Sequence, residues 1–303
     1  MGRSSVVCAC VLSNVLAIVP AHAQRDFSNV QIKATHVRGA VHMLQGAGGN
    51  IGVSVGEDGI LIVDDQFAPL ADRIRKALRE IDQGKVRLVL NTHWHQDHTG
   101  GNVEFGTEAA VVAHENVRKR LATPQRVRGE EVGPSPSKAL PIITFDESLT
   151  IHFNGEEIRM FHLPHGHTDG DSAVFFAKSN VVHMGDLFFA GKFPFVDLDS
   201  GGDVEGYTKN VETILKMIPA DAMVIPGHGP LSTVEDLKAF HGMLVETTGV
   251  VRKAIAAGKS IEEIKAAGLP KKWDSWGDWF IKTDAWLECI HRSLTRPPEP
   301  SRE

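Results

Sequence analysis

Between Val37 and Val63 short apolar runs alternate with turn signals, so the chain opens on a set of strands. Gly46-Ala47-Gly48-Gly49-Asn50 breaks the first pair, and Glu57-Asp58-Gly59 turns the next into Ile60–Val63. From Pro69 to Ile81 the period changes. Leu70, Ile74, Ala77, Leu78 and Ile81 fall on one stripe with charges opposite, which predicts a helix. Val86–Leu90 is a continuous apolar run, the pattern of a strand buried on both faces. Val111–Ala113 predicts a further strand and Glu115–Leu121 a basic helix. Residues 122–141, rich in Pro, Gly, Ser and charge, read as a mobile loop.

The second half repeats the alternation. Asn154-Gly155 centres a hairpin over Leu149–Phe161. Strands are predicted at Ala173–Ala177, Val181–Met184 and Met223–Ile225, with a helix over Val204–Met217. After Pro230 the pattern is helical only. Ser260-Ile261-Glu262-Glu263 is a capping box, and the last helix is expected over about Asp278–Leu294. That helix is read as carrying Trp279 and Trp286 behind Trp273 and Trp276, all as packing anchors.

Met1–Ala23 differs from both patterns. A basic start at Arg3, an apolar run over Val6–Val19 and the small-x-small end Ala21-His22-Ala23 are the marks of a cleaved secretory leader, too short to span a membrane comfortably. Export, with a periplasmic location and no anchor after cleavage, is the expectation. Of three cysteines, Cys8 and Cys10 lie in the leader, so Cys289 stands alone in the mature chain as a core residue and no internal disulfide forms. Composition adds bounds. With 42% hydrophobic and 23% charged residues the 303-residue chain is an ordinary globular protein, and its net charge of −6 argues against nucleic acid as a partner.

Histidine is what departs from the average, with fifteen in the chain. The strand Val86–Leu90 runs into Asn91-Thr92-His93-Trp94-His95-Gln96-Asp97-His98-Thr99-Gly100-Gly101. In extended backbone His93 and His95 point to one side and suit one ion, while Asp97 and His98 follow as the chain turns and suit a second. Thr99-Gly100-Gly101 is expected to make a tight turn into a helix. Imidazole and carboxylate without thiolate favour zinc, manganese or iron. Three further pieces end strands: Leu163-Pro164-His165-Gly166-His167-Thr168-Asp169-Gly170-Asp171, Val182-His183-Met184-Gly185-Asp186, and Val224-Ile225-Pro226-Gly227-His228-Gly229-Pro230. Strand-end loops are where a rigid sheet positions reactive groups.

In order and spacing these motifs resemble the metallo-β-lactamase superfamily of dinuclear metal hydrolases, over roughly Val37–Pro230. The resemblance implies an α/β fold, an αββα sandwich of two mixed sheets with outer helices, here followed by a C-terminal helical extension. It divides the chain into the leader (1–23), a catalytic domain (27–232) and the extension (233–303). It implies that two ions, zinc first with iron or manganese as alternatives, are held by His93, His95 and His167 and by Asp97, His98 and His228. Asp186 then bridges the two, and Asp64 orients the site from behind, with Asp65 facing away. Asp97 doubles as a proton-transfer group. His165 is read as a rim residue and His183 as a packed core histidine. His36, His42, His114, His152, His162, His241 and His291 are read as structural or surface residues.

A metal-bridging hydroxide attacking a carbonyl is the expected chemistry, since metal binding brings the pKa of water from 15.7 toward about 7. Export favours a cyclic amide or ester over cytosolic substrates, with a β-lactam first and a lactone or a glyoxalase II-like thioester as alternatives. An iron-dependent redox enzyme and a non-catalytic metal-binding protein are the readings from other classes. The net positive site favours an anionic small molecule. Lys192 is read as an exposed loop residue, and Phe188, Phe189, Phe193 and Phe195 as cleft wall or core.

Overall fold

The computed structural model describes residues 26–297. The leader, Cys8 and Cys10 lie outside the described residues. Two sheets pack face to face. The first has strands β1 (Lys33–Arg38), β2 (Val41–Gln45), β3 (Ile51–Gly56), β4 (Gly59–Val63), β5 (Val86–Asn91), β6 (Ala110–His114) and β9 (Ile143–Phe145), in that spatial order. β1 to β4 form an antiparallel meander, and β4, β5, β6 and β9 run parallel. The second sheet has β10 (Ser148–Phe153), β11 (Glu156–His162), β12 (Ser172–Phe176), β13 (Val181–His183), β14 (Met223–Ile225) and β15 (Ser232–Thr233).

Strand alternation sorts the apolar residues into layers. In β4, Leu61 and Val63 face the second sheet, meeting Met160, Val174 and Phe176, while Ile60 and Ile62 face outward. The outward face is covered by α1 (Ala71–Ile81), whose Ile74 and Leu78 are buried there as the 3.6-residue stripe requires. Between β5 and β6 lie the short helices α2 (Gln96–Thr99) and α3 (Asn102–Phe105). Val182 and Val224 on the second sheet's outer face pack under α5 (Val204–Met217), α6 (Val234–Ala256) and α8 (Thr283–Thr295), through Val211, Phe240 and Trp286 among others. The result is the αββα sandwich. The C-terminal helices share this one core with the second sheet, and α7 (Ile261–Ala267) starts at the Ser260 capping box as expected.

Three local expectations are corrected. Residues 122–141, read as a loop after α4 (Glu115–Leu121), contain a hairpin of β7 (Gln125–Val127) and β8 (Glu130–Val132). Its strands are three residues each, too short for an alternation pattern to show. The chain after Pro230 is not helical only, because β15 pairs with β14. The last helix begins at Thr283, so Trp279 precedes it. The indole N–H of Trp279 donates to Phe193 O at 3.0 Å, after a 3-10 stretch over Lys271–Gly277. As expected, Gly100 and Gly101 form the turn that leads into α3. Both are right-handed helical, and Gly101 serves close approach, since a Cβ there would stand 2.5 Å from Asp65 O. Among the described residues no helix is long and apolar enough to cross a membrane.

Candidate metal centre

The parallel strand β5 delivers the residues after Asn91 to the end of the sandwich. There they meet the loops that follow β11, β13 and β14. His93, His95 and His167 bring one ligand atom each within 4.8 Å of one another; so do His93, His98 and Asp186, and so do Asp97, His98 and His228. All seven residues proposed as ligands therefore stand around one cage. Asp186 lies between its halves. Its Oδ2 is 3.8 Å from His93 Nε2 and 3.5 Å from His167 Nε2, and its Oδ1 is 3.0 Å from His98 Nε2 and 3.3 Å from His228 Nε2. Asp97 Oδ2 faces the second half, 3.3 Å from His228 Nε2 and 3.8 Å from His98 Nε2. Backbone presses against the cage, because a Cβ on Gly227 would stand 2.1 Å from Asp186 Oδ1.

The outer nitrogens explain the inward aim of four imidazoles. His98 Nδ1 meets Asp64 Oδ2 at 2.7 Å, and the same carboxylate accepts from Thr92 N and Thr92 Oγ1, both at 2.8 Å. Asp64 is fully buried and has φ +65°, a left-handed turn an aspartate tolerates, which aims its carboxylate back under β5. His93 Nδ1 lies 3.0 Å from Thr92 Oγ1, and His167 Nδ1 2.7 Å from Phe195 O. His95 Nε2 meets Asp197 Oδ2 at 2.9 Å, leaving Nδ1 for the cage. His228 is held instead by its ring, stacked on Phe189 at 5.1 Å and 17°.

Asp65, as expected, faces away and accepts from Gly101 N. His165 is exposed with its ring toward Gly201 O, outside the cage, and His183 is buried against Asn50 O. Phe188 and Phe193 are core, whereas Phe189 and Phe195 line a cleft of about 400 Å³ that opens onto His95, Asp97, Asp186 and His228. Away from the cage, His114 and His162 stack at 3.6 Å and 11°, a pairing nothing in their spacing announced. Sequence reasoning also missed Asp197, Thr92 and Tyr207, whose hydroxyl donates to Asp186 O. Asp197 is 102 residues from His95, so only tertiary contact could reveal it.

Charge inside the cage is strongly polarised. Burial raises the cost of ionising Asp97 and Asp186. The neighbouring imidazoles, His98 first and then His228, together outweigh that cost and hold both carboxyls below their usual range. Burial likewise opposes protonation of His98 and His228, but Asp186 overcomes it with help from neighbouring carboxylates; His98 is raised well above its ordinary value and His228 to about 9. Burial depresses His93 strongly and His167 to about 4, so both present neutral imidazole. Metal fits this donor set. His93 Nε2 is buried and has no hydrogen-bond partner, the state of a nitrogen reserved for a ligand rather than for the protein. Imidazoles and carboxylates without thiolate are the donors that zinc, manganese and iron take.

The family model described as the metallo-beta-lactamase superfamily matches residues 45–229. The chain is 28% identical over 180 residues to the hydroxyacylglutathione hydrolase GloC of Haemophilus influenzae, covering 57% of this chain and 82% of that one. It is 22% identical over 208 residues to a type 2 metallo-beta-lactamase of Bacteroides fragilis, covering 64% and 78%. Among solved structures, a metallo-beta-lactamase from Pontibacter korlensis superposes with a TM-score of 0.60 at 18% identity, covering 71% of this chain and 99% of that one.

Proposed function

Because the chain belongs to the metallo-beta-lactamase superfamily, we propose that it is an exported zinc-dependent hydrolase that opens a cyclic amide or ester, with a β-lactam the first substrate to try. The observation that carries this reading is the division of Asp186, one oxygen toward each half of a seven-residue cage. His93, His95 and His167 would hold one ion, Asp97, His98 and His228 the other, and Asp186 both. A pair of divalent ions bound there supplies activated water at neutral pH and polarises the scissile carbonyl.

The protein's own groups supply the rest. Asp64, Asp197 and Phe195 O fix the imidazoles before substrate arrives, so none needs reorienting during reaction. Asp97 lines the cleft with Oδ2 turned to His98 and His228, which leaves Oδ1 to take a proton from the attacking water and return it to the departing atom. A thioesterase is the second reading, favoured by the similarity to the hydroxyacylglutathione hydrolase. A panel of β-lactams, acyl-lactones and glutathione thioesters on zinc-loaded protein separates the two. Asp186→Ala and His228→Ala should each lose metal and activity, and full retention of both in either variant would refute the assignment. Export is supported by the Met1–Ala23 pattern, and is tested by whether the mature protein starts at Gln24 in the periplasmic fraction.

A further inference from the structure

Beyond the cage, the cleft wall is assembled from rings that lie far apart in sequence. Phe195 lies 5.8 Å from His95 and 6.3 Å from Phe280, centroid to centroid. Phe280 meets Trp279 at 5.6 Å, and Trp279 meets Phe189 at 5.4 Å and His228 at 6.1 Å. The rings thus form an unbroken arc from a histidine of one half of the cage to a histidine of the other. Its middle is supplied by the C-terminal extension, in the turn just before α8. Phe280 is 49% exposed, a large apolar ring with one side toward the cleft and water.

Two cations stand on the outer rim of the arc. Lys192 Nζ lies 4.7 Å from the centroid of the Trp279 ring, and Arg128, at the tip of the β7–β8 hairpin, lies 4.5 Å over Phe280. Outside the cage, the residues lining the cleft include Arg128 but no carboxylate that would receive an ammonium group. Such a wall buries an apolar body and meets a negative charge at its edge.

We infer that the arc is the specificity wall of this cleft: its substrates are esters or amides that carry a bulky apolar acyl or aryl group and an anion. Zwitterionic peptide thioesters such as glutathione conjugates do not fit it. The inference rests on the hydrolase reading for the reacting bond, but the wall can be tested without turnover.

Calorimetry of the zinc-loaded protein with butane-, hexane-, octane- and decanesulfonate reads the wall directly. Full burial of a methylene is worth about fourfold in affinity, so a half-open wall should give at least about twofold per methylene. Phe280→Ala, which removes a half-exposed ring and leaves the core intact, should flatten that slope. Arg128→Ala should weaken all four sulfonates by a common factor. S-Methylglutathione, a zwitterionic peptide whose blocked thiol cannot ligate zinc as thiolate, should bind more weakly than octanesulfonate. A flat series in the unmodified protein, a slope unchanged by Phe280→Ala, or binding of S-methylglutathione as tight as that of octanesulfonate or tighter overturns the inference. If the series behaves as expected and nothing on the hydrolysis panel is turned over, the wall stands and the hydrolase reading falls.

Discussion

Replacing Asp64 with Asn tests whether the cage is preorganised from behind. Asp64 has two carboxylate oxygens serving three donors: Thr92 N on one, Thr92 Oγ1 and His98 Nδ1 on the other. An amide has the same shape but only one acceptor, and asparagine tolerates the φ of +65° as well as aspartate does. If the amide oxygen stays on Thr92 N, its N–H₂ faces His98 Nδ1. The imidazole must then carry its proton on Nε2, the atom turned to the second half of the cage. If the amide turns round, Thr92 N is left buried and unpaired at about 1–3 kcal/mol. Either way the second ion is penalised. Loss of such an outer partner typically costs 10–100-fold in metal affinity, or about 1.4–2.7 kcal/mol. Zinc titration of metal-free protein, followed by metal analysis after dialysis, should show the first ion retained and the second weakened at least about tenfold. Two ions bound within about threefold of the unmodified affinity would refute the argument that Asp64 sets the His98 tautomer.

Four further outcomes follow from the same geometry. Asp197→Asn should act on the other half, weakening the first ion by a comparable factor through His95, and the same titration shows which of the two sites moves. In metal-free protein, burial disfavours the His228 imidazolium but Asp186 and Asp97 raise it to about 9, so zinc must displace that proton. Apparent zinc affinity should therefore climb about tenfold per pH unit for this proton until about pH 9, with proton release visible when calorimetry is repeated in buffers of different ionisation enthalpy. The stability sign is the reverse. A raised pKa stabilises the metal-free fold fully below the unfolded value near 6.5 and ceases to do so as pH rises through about 9, so the thermal midpoint should fall across that window and fall less in His228→Gln. Gly227→Ala would place a methyl 2.1 Å from Asp186 Oδ1 and 2.5 Å from Gly185 O, displacing the Asp186 carboxylate from its place between the two halves of the cage. We expect loss of the second ion with the secondary structure intact by circular dichroism.

The sequence by itself determined what is local. The apolar run Ile60–Val63 marked a strand, whose period of two puts Ile60 and Ile62 on one face and Leu61 and Val63 on the other; which face meets α1 came only from the packing. The metal-ligand candidates were legible for the same reason: His93, His95, Asp97 and His98 sit within six residues, and the other three end strands beside glycine. Tertiary structure alone decided what crosses the chain. That includes Asp197 behind His95, the split of the Asp186 oxygens, and the arrival of Trp279 and Phe280 beside a cage built some fifty or more residues earlier. The β7–β8 hairpin and the true start of α8 belong to that class too, since three-residue strands carry no period and Trp279 is held by Phe193 O, a partner 86 residues away. Periodicity reports which way a residue points, whereas a contact depends on where two distant segments are brought together by the packed core, and no window of sequence contains both.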